Sequence, residues 1–123
     1  MIKGIGIDVV HIERMQKNLS SPRFMERVFT AAEREHIGQT ALSAERAAGC
    51  YAAKEALAKA LGCGLAGCPP GEVQTAPLPS GAPSLTAEGK ARAALDALGV
   101  ANIWVSITHD AGVAAAVVVL EGE

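Results

Sequence analysis

Residues 2–10, Ile-Lys-Gly-Ile-Gly-Ile-Asp-Val-Val, alternate so that Ile5, Ile7 and Val9 point one way while Gly4, Gly6 and Asp8 point the other, the period-two signature of a β-strand. One face of this strand is bare glycine leading to a carboxylate. From about His11 to Leu19 the pattern becomes helix-like. Ser21-Pro22 then offers an N-cap and a proline at the first helical position for a short helix ending near Phe29. Thr30-Ala-Ala-Glu33 is a capping box that opens a helix to about Ile37, with Gly38 as its stop. The longest helical segment runs from about Ser43 to Leu61. It is rich in Ala, Leu, Glu and Lys, and it closes on Gly62, where a left-handed C-cap is favoured.

The stretch 62–83 holds five of the six prolines and several glycines, so it reads as loops around one short strand, Glu72 to Leu78. Leu85 fits a second short strand, Thr86 is the expected cap of a helix to about Leu98, and Gly99 ends that helix. Two strands follow. In Asn102 to Thr108, Ile103, Val105 and Ile107 alternate with Trp104, Ser106 and Thr108; Val113 to Leu120 is apolar throughout. His109-Asp110-Ala-Gly112 supplies the turn between them. The order β-α-α-α-β-β-α-β-β is that of an α+β protein.

With 123 residues, half of them apolar and one fifth charged, the chain has the size and composition of one soluble globular domain spanning 1–123. Its aromatics are only Trp104, Tyr51, Phe24 and Phe29, so the core must be built from small and branched side chains. A thin core gains if other copies cover more apolar surface. The net charge of −2 excludes a globally basic nucleic-acid binder. Locally, Arg14, Lys17, Arg23 and Arg27 outweigh Glu13 and Glu26, giving either a solvated helix face or a positive patch where an acidic partner docks. The spacings of Cys50, Cys63 and Cys68 match no zinc site, so reduced structural thiols are expected. Neither a signal peptide nor an apolar run long enough to span a membrane is evident, which points to a cytoplasmic protein.

An aspartate among Ile and Val is costly unless it is paired or binds a metal, so Asp8 either caps the following helix from solvent or serves a site. Gly4 and Gly6 on its face leave room for another backbone or for a ligand. Glu55 and Lys59 stand four apart in the order favourable for a helical surface pair. Ala48, Ala52, Glu55, Lys59 and Gly62 form one stripe of the same helix, with small residues beside the charges. Lys54, on a different face, is either solvated or a second phosphate contact. A triad of Ser106, His109 and Asp110 is disfavoured, because Ser106 and His109 face oppositely on a strand and no nucleophile elbow surrounds the serine.

Four patterns occur in order: Gly4-Ile-Gly-Ile-Asp-Val-Val-His-Ile-Glu-Arg14, Phe29-Thr-Ala-Ala-Glu33, Tyr51-Ala-Ala-Lys-Glu-Ala-Leu-Ala-Lys-Ala-Leu-Gly62 and Val105-Ser-Ile-Thr-His-Asp110. Together they resemble the holo-acyl-carrier-protein synthase family of the 4'-phosphopantetheinyl transferases. The resemblance implies a small, mainly antiparallel sheet packed against helices. It also implies transfer of 4'-phosphopantetheine from coenzyme A to a serine of apo acyl carrier protein, in fatty acid biosynthesis, with adenosine 3',5'-bisphosphate as the other product. On the same basis Asp8 and Glu55 are expected as Mg²⁺ ligands and Lys59 as a diphosphate contact and proton donor. Gly62 and His109 are expected near the coenzyme, and Arg14 at the carrier protein. Family members are homotrimers, which implies sites between subunits, with the Asp8 strand and His109 of one copy facing the Glu55 helix of the next.

Two departures stand out. Cys50 occupies a position where many relatives have Arg, and Ser80-Gly-Ala-Pro83 replaces a frequent Gly-Lys-Pro, so Ala82 takes the place of a lysine. Both imply weaker or rerouted contacts to coenzyme phosphates. The rival reading is a non-catalytic oligomer that binds coenzyme A or another nucleotide. The paired acids argue against it, since two carboxylates help to hold a metal and hinder the grip of an anion.

Overall fold

The N-terminal alternation produces strand β1 (Ile2–His11), the first element in a computed structural model that describes residues 1–123. It is followed by α1 (Ile12–Asn18), α2 (Pro22–Val28), α3 (Ala31–Ile37) and the long α4 (Ser43–Leu61). A single turn, α5 (Gly64–Gly67), and a 3₁₀ turn (Pro70–Glu72) lead to the hairpin of β2 (Val73–Pro77) and β3 (Pro83–Ala87). Helix α6 (Gly89–Leu98) and the strands β4 (Val100–Asp110) and β5 (Val113–Gly122) complete the chain. The main sheet is antiparallel, in the order β1-β5-β4. The α+β class expected from the sequence is observed.

The element order differs from the expectation in two places. Four full helices, not three, separate β1 from the second strand, because the helix-like stretch after His11 forms a helix of its own, α1, before Ser21 starts α2 as expected by accepting a hydrogen bond from Phe24 N at 3.2 Å. The turn α5 lies in the stretch expected to be loop. At α6 the expected cap is wrong. Thr86 lies inside β3, paired with Gln74, and the helix starts later. Its free N–H groups are met from outside the helix: Lys90 N and Ala91 N donate to Glu72 Oε1 at 2.9 and 3.3 Å.

Other local signals hold as expected. Thr30 and Glu33 form both arms of the capping box, Gly62 takes the left-handed C-cap with φ 75°, and Gly99 does the same after α6. The turn between β4 and β5 is two residues long, Ala111 and Gly112, both at positive φ. That conformation matches the twist of a tight hairpin.

Helix α4 lies against one face of the sheet. Ala52, Ala53, Ala56, Leu57 and Ala60 are buried against Ala116, Val118 and Leu120 of β5, together with Val73, Leu85, Ala91 and Leu95. A second cluster joins Met15, Val28, Phe29 and Ile37 to Ala47, Ala48 and Ala114. Small side chains let the helix approach the sheet closely, and at β1 the approach is backbone to backbone. A Cβ at Gly4 would overlap the carbonyl oxygen of Ala60, and one at Gly6 that of Ala56. The glycine face of β1 is therefore the seat of α4. The ligand alternative for these two glycines is not what they serve.

The other face of the sheet is uncovered in the single chain. Ile5, Ile7 and Val9 of β1 are 66, 63 and 56 % exposed, and Trp104 of β4 is 57 % exposed. The register joins them across β5 in rows, Ile5 with Val119 and Trp104, and Ile7 with Val117. A contiguous apolar patch of this kind marks an interaction surface.

Candidate active site

Strand alternation turns Asp8 to the α4 side, the same side as Gly4 and Gly6, where a carboxylate would be stranded without a partner. Lys59, near the C-terminus of α4, supplies one: its Nζ donates to Asp8 Oδ1 at 3.0 Å and to the carbonyl of Ile7 at 3.2 Å. Asp8 is 12 % exposed at its side chain and Lys59 55 %, so the pair sits at a surface opening. Lys59 is thus paired with Asp8 across the helix–strand contact.

Glu55 and Tyr51 stand four and eight positions before Lys59, on the same face of α4. Burial, then the Glu55 carboxylate, then Asp8 push the Tyr51 hydroxyl up to about 12. A phenol held protonated in this way remains a hydrogen-bond donor at neutral pH. The ring of Tyr51 rests against Phe24, with centroids 6.0 Å apart. Tyr51 belongs to a sequence motif, yet nothing in the sequence marked it as a site residue, because an aromatic on a helix reads as core. Asp8, Tyr51, Glu55 and Lys59 form one group within a single chain, with Gly62 one turn beyond, its N–H donating to Lys59 O at 3.0 Å.

His109 is elsewhere. It lies on the same sheet face as Asp8 but on the opposite edge strand, two strand spacings or about 10 Å across, and its Nδ1 faces Glu45 Oε1 at 3.1 Å. Glu45 is ten residues from Glu55, about 15 Å along the helix. The expected pairing of the Asp8 strand with His109, completed by another copy's Glu55 helix, is therefore corrected: Asp8 and the Glu55 helix share one chain, and His109 belongs to a separate cleft. Arg14 is exposed on α1, beside a shallow groove that includes His11, Lys17 and Gly112.

Two further expectations are revised. Ala48 and Ala52 are completely buried, so the small-residue stripe packs the core at its N-terminal half and leaves no space there for a ligand. Lys54 is neither solvated nor free for a phosphate. Its Nζ donates to Glu33 Oε1 at 2.6 Å and to the carbonyls of Val28 and Pro70 at 2.7 and 2.8 Å, with both charged side chains almost fully buried. Glu33 Oε2 in turn accepts from Thr75 N at 2.7 Å, from Thr75 Oγ1 at 3.1 Å and from Cys50 Sγ at 3.2 Å. Every polar group of this network has a partner.

No group of three or more His, Cys, Asp or Glu side chains is placed to hold a metal ion, and no helix is long and apolar enough to cross a membrane. The opening at Asp8 and Lys59 thus presents two carboxylates, a phenol and an ammonium. Such a set can hold a hard cation beside phosphate oxygens.

The family model for the 4'-phosphopantetheinyl transferase superfamily matches residues 4–118. A holo-[acyl-carrier-protein] synthase of Solidesulfovibrio magneticus is 46 % identical over 125 residues, covering 99 % of this chain and all of its own. The crystal structure of the Neisseria meningitidis synthase superposes with a TM-score of 0.88 at 27 % identity, covering 98 % of this chain and 99 % of that one. The Bacillus anthracis synthase, solved in complex with CoA (3',5'-ADP), superposes with a TM-score of 0.84 at 32 % identity, covering 100 % of this chain and 99 % of that one. Full-length agreement in sequence and in fold, around a site of the expected composition, makes this chain a member of the holo-[acyl-carrier-protein] synthase family of 4'-phosphopantetheinyl transferases.

Proposed function

We propose that the chain transfers 4'-phosphopantetheine from coenzyme A to a serine hydroxyl of an apo acyl carrier protein, releasing adenosine 3',5'-bisphosphate. The observation that carries this reading is the convergence of Asp8, Glu55, Lys59 and Tyr51 at one opening in a member of this family. Mg²⁺ prefers few protein carboxylates together with waters and phosphate oxygens, and two carboxylates without a third ligand beside them fit that preference. Asp8 and Glu55 would hold the ion, which when bound neutralises charge on the diphosphate.

The serine oxygen attacks the phosphorus that carries the pantetheine arm, and the bond to the adenylyl phosphate breaks. Lys59, more than half exposed and anchored only by Asp8 and a carbonyl, is in position to bind the diphosphate and give a proton to the departing phosphate. The serine proton must also be accepted, and among these four side chains only Asp8 and Glu55 can take it. Tyr51, which stays protonated, orients Glu55. The test is to incubate the protein with apo acyl carrier protein, coenzyme A and Mg²⁺, then weigh the carrier intact. A gain of one phosphopantetheine group is expected; no gain, while a known transferase works in parallel, would sink the reading.

The exposed apolar face of the sheet supports self-association, and a homotrimer with sites at its subunit boundaries fits the separation of the His109 cleft from the acid cluster within one chain. Carrier protein is assigned to the basic face of α1. Changing Arg14 to Glu is expected to raise KM for carrier protein about tenfold, the size of one charge pair turned repulsive, and to leave KM for coenzyme A within twofold. Equal effects on both would point to a different docking face.

A further inference from the structure

Asp8 and Glu55 are the two carboxylates that would hold a divalent cation, yet they are not equally free. Asp8 Oδ1 accepts from Lys59 Nζ at 3.0 Å, whereas Glu55 takes part in none of the four ion pairs of the chain. One of the two acids is therefore already holding a positive charge. Two cations on one carboxylate repel each other, so filling the site works against Lys59.

The two partners of the pair differ in freedom. Asp8 is set within β1, paired in register with Ala116 of β5, and α4 rests backbone to backbone on the same strand at Gly4 and Gly6. Its short side chain is 12 % exposed. Lys59 lies in the last turn of α4, and its ammonium donates only to β1: to Asp8, and to the carbonyl of Ile7 at 3.2 Å. More than half of the lysine side chain is in solvent, and its flexible four-carbon stem lets the ammonium swing away without moving the helix. An exposed ion pair is weak enough to open. A diphosphate arriving at the same opening offers the ammonium a more highly charged acceptor.

We propose that the Asp8–Lys59 pair is a latch that couples the two ligands of the site: closed, it weakens the hold of the acids on a lone divalent cation, and the coenzyme diphosphate opens it by drawing Lys59 away. The inference rests on the transferase reading. Metal and coenzyme then enter as partners, each raising the affinity for the other by the same factor.

The test measures Mg²⁺ binding by calorimetry without carrier protein, so that no transfer occurs. Titrations are made with and without saturating coenzyme A, with allowance for the Mg²⁺ held by free coenzyme. Lys59→Gln is expected to bind Mg²⁺ alone about fivefold tighter than the wild type, the size of one partly exposed ion pair. Arg27→Gln is the control. It removes an equal charge near Tyr51 that makes no ion pair with Asp8, and Mg²⁺ affinity is expected to stay within about twofold, since an unpaired exposed charge acts only through solvent. Coenzyme A tightens Mg²⁺ binding in the wild type, and this factor is expected to shrink about fivefold in Lys59→Gln, where no latch is left to open. A lysine that stood clear of Asp8 and only competed with the metal for phosphate oxygens would give the opposite result, a larger factor on its removal.

An unchanged or larger factor, an equal gain in Lys59→Gln and Arg27→Gln, or no Mg²⁺ binding by Lys59→Gln would each overturn the latch. Lys59→Met repeats the comparison with a side chain that cannot hydrogen-bond, which separates the latch from a fold defect peculiar to one variant. If the wild type fails to modify carrier protein, the transferase reading falls, while the Mg²⁺ comparison still decides the latch.

Discussion

Replacing Asp8 or Glu55 with alanine is expected to abolish transfer while leaving the fold in place. Under the proposed mechanism each acid is one of only two that would hold Mg²⁺, and removing it would forfeit charge stabilisation worth several kcal/mol in a phosphoryl transfer. A loss of at least about a thousandfold in kcat is the corresponding rate effect. Neither residue belongs to the buried core: Asp8 pairs only with a lysine that is largely in solvent, and Glu55 is half-buried. Melting temperatures within a few degrees of wild type are therefore expected alongside the lost activity. Rates from intact-mass assays and melting curves from circular dichroism check both halves. A near-normal rate in either variant would remove that residue from the site.

The second large effect concerns stability. Lys54→Met keeps most of the side-chain volume but removes the ammonium, leaving the Glu33 carboxylate buried without its counter-charge and the Val28 and Pro70 carbonyls without their donor. Breaking one side of a buried pair typically costs about 3–5 kcal/mol. That is a large share of the total stability of an average domain, so urea unfolding should show a sharply lowered midpoint. The double change Lys54→Met with Glu33→Gln is expected to recover part of the loss, because the orphaned charge is gone. A Lys54→Met protein as stable as wild type would show that the network is not what ties α3, the 3₁₀ turn and β2 to α4.

Much of the architecture was legible from local chemistry. The capping box at Thr30, the glycine stops at Gly62 and Gly99, and the alternation in β1 and β4 each act within a few residues, so they read correctly without knowledge of the rest. The cap of α6 was misread because its acceptor, Glu72, lies 18 residues before the amide of Lys90 that it serves. Lys54 was misread for the same kind of reason. A lysine on an alanine-rich helix looks solvated until the fold brings Glu33 to it from 21 residues away.

The chain's own sequence determined which segments become strands and helices, where most of them stop, and that Asp8, Glu55 and Lys59 are the charged residues to watch. Pattern and capping are short-range effects, and the family motifs are contiguous. The tertiary structure alone decided what these residues meet. Asp8 touches Lys59 across 51 residues because Gly4 and Gly6 let α4 settle directly on β1, and Tyr51 joins them because it shares their face of the helix. His109 falls in a separate cleft because β4 is the far edge strand of the sheet, and Arg46 because it leaves α4 on the face opposite Glu55. Such pairings depend on how closely and at what angle a helix crosses a sheet, which is set by the packing of the whole core.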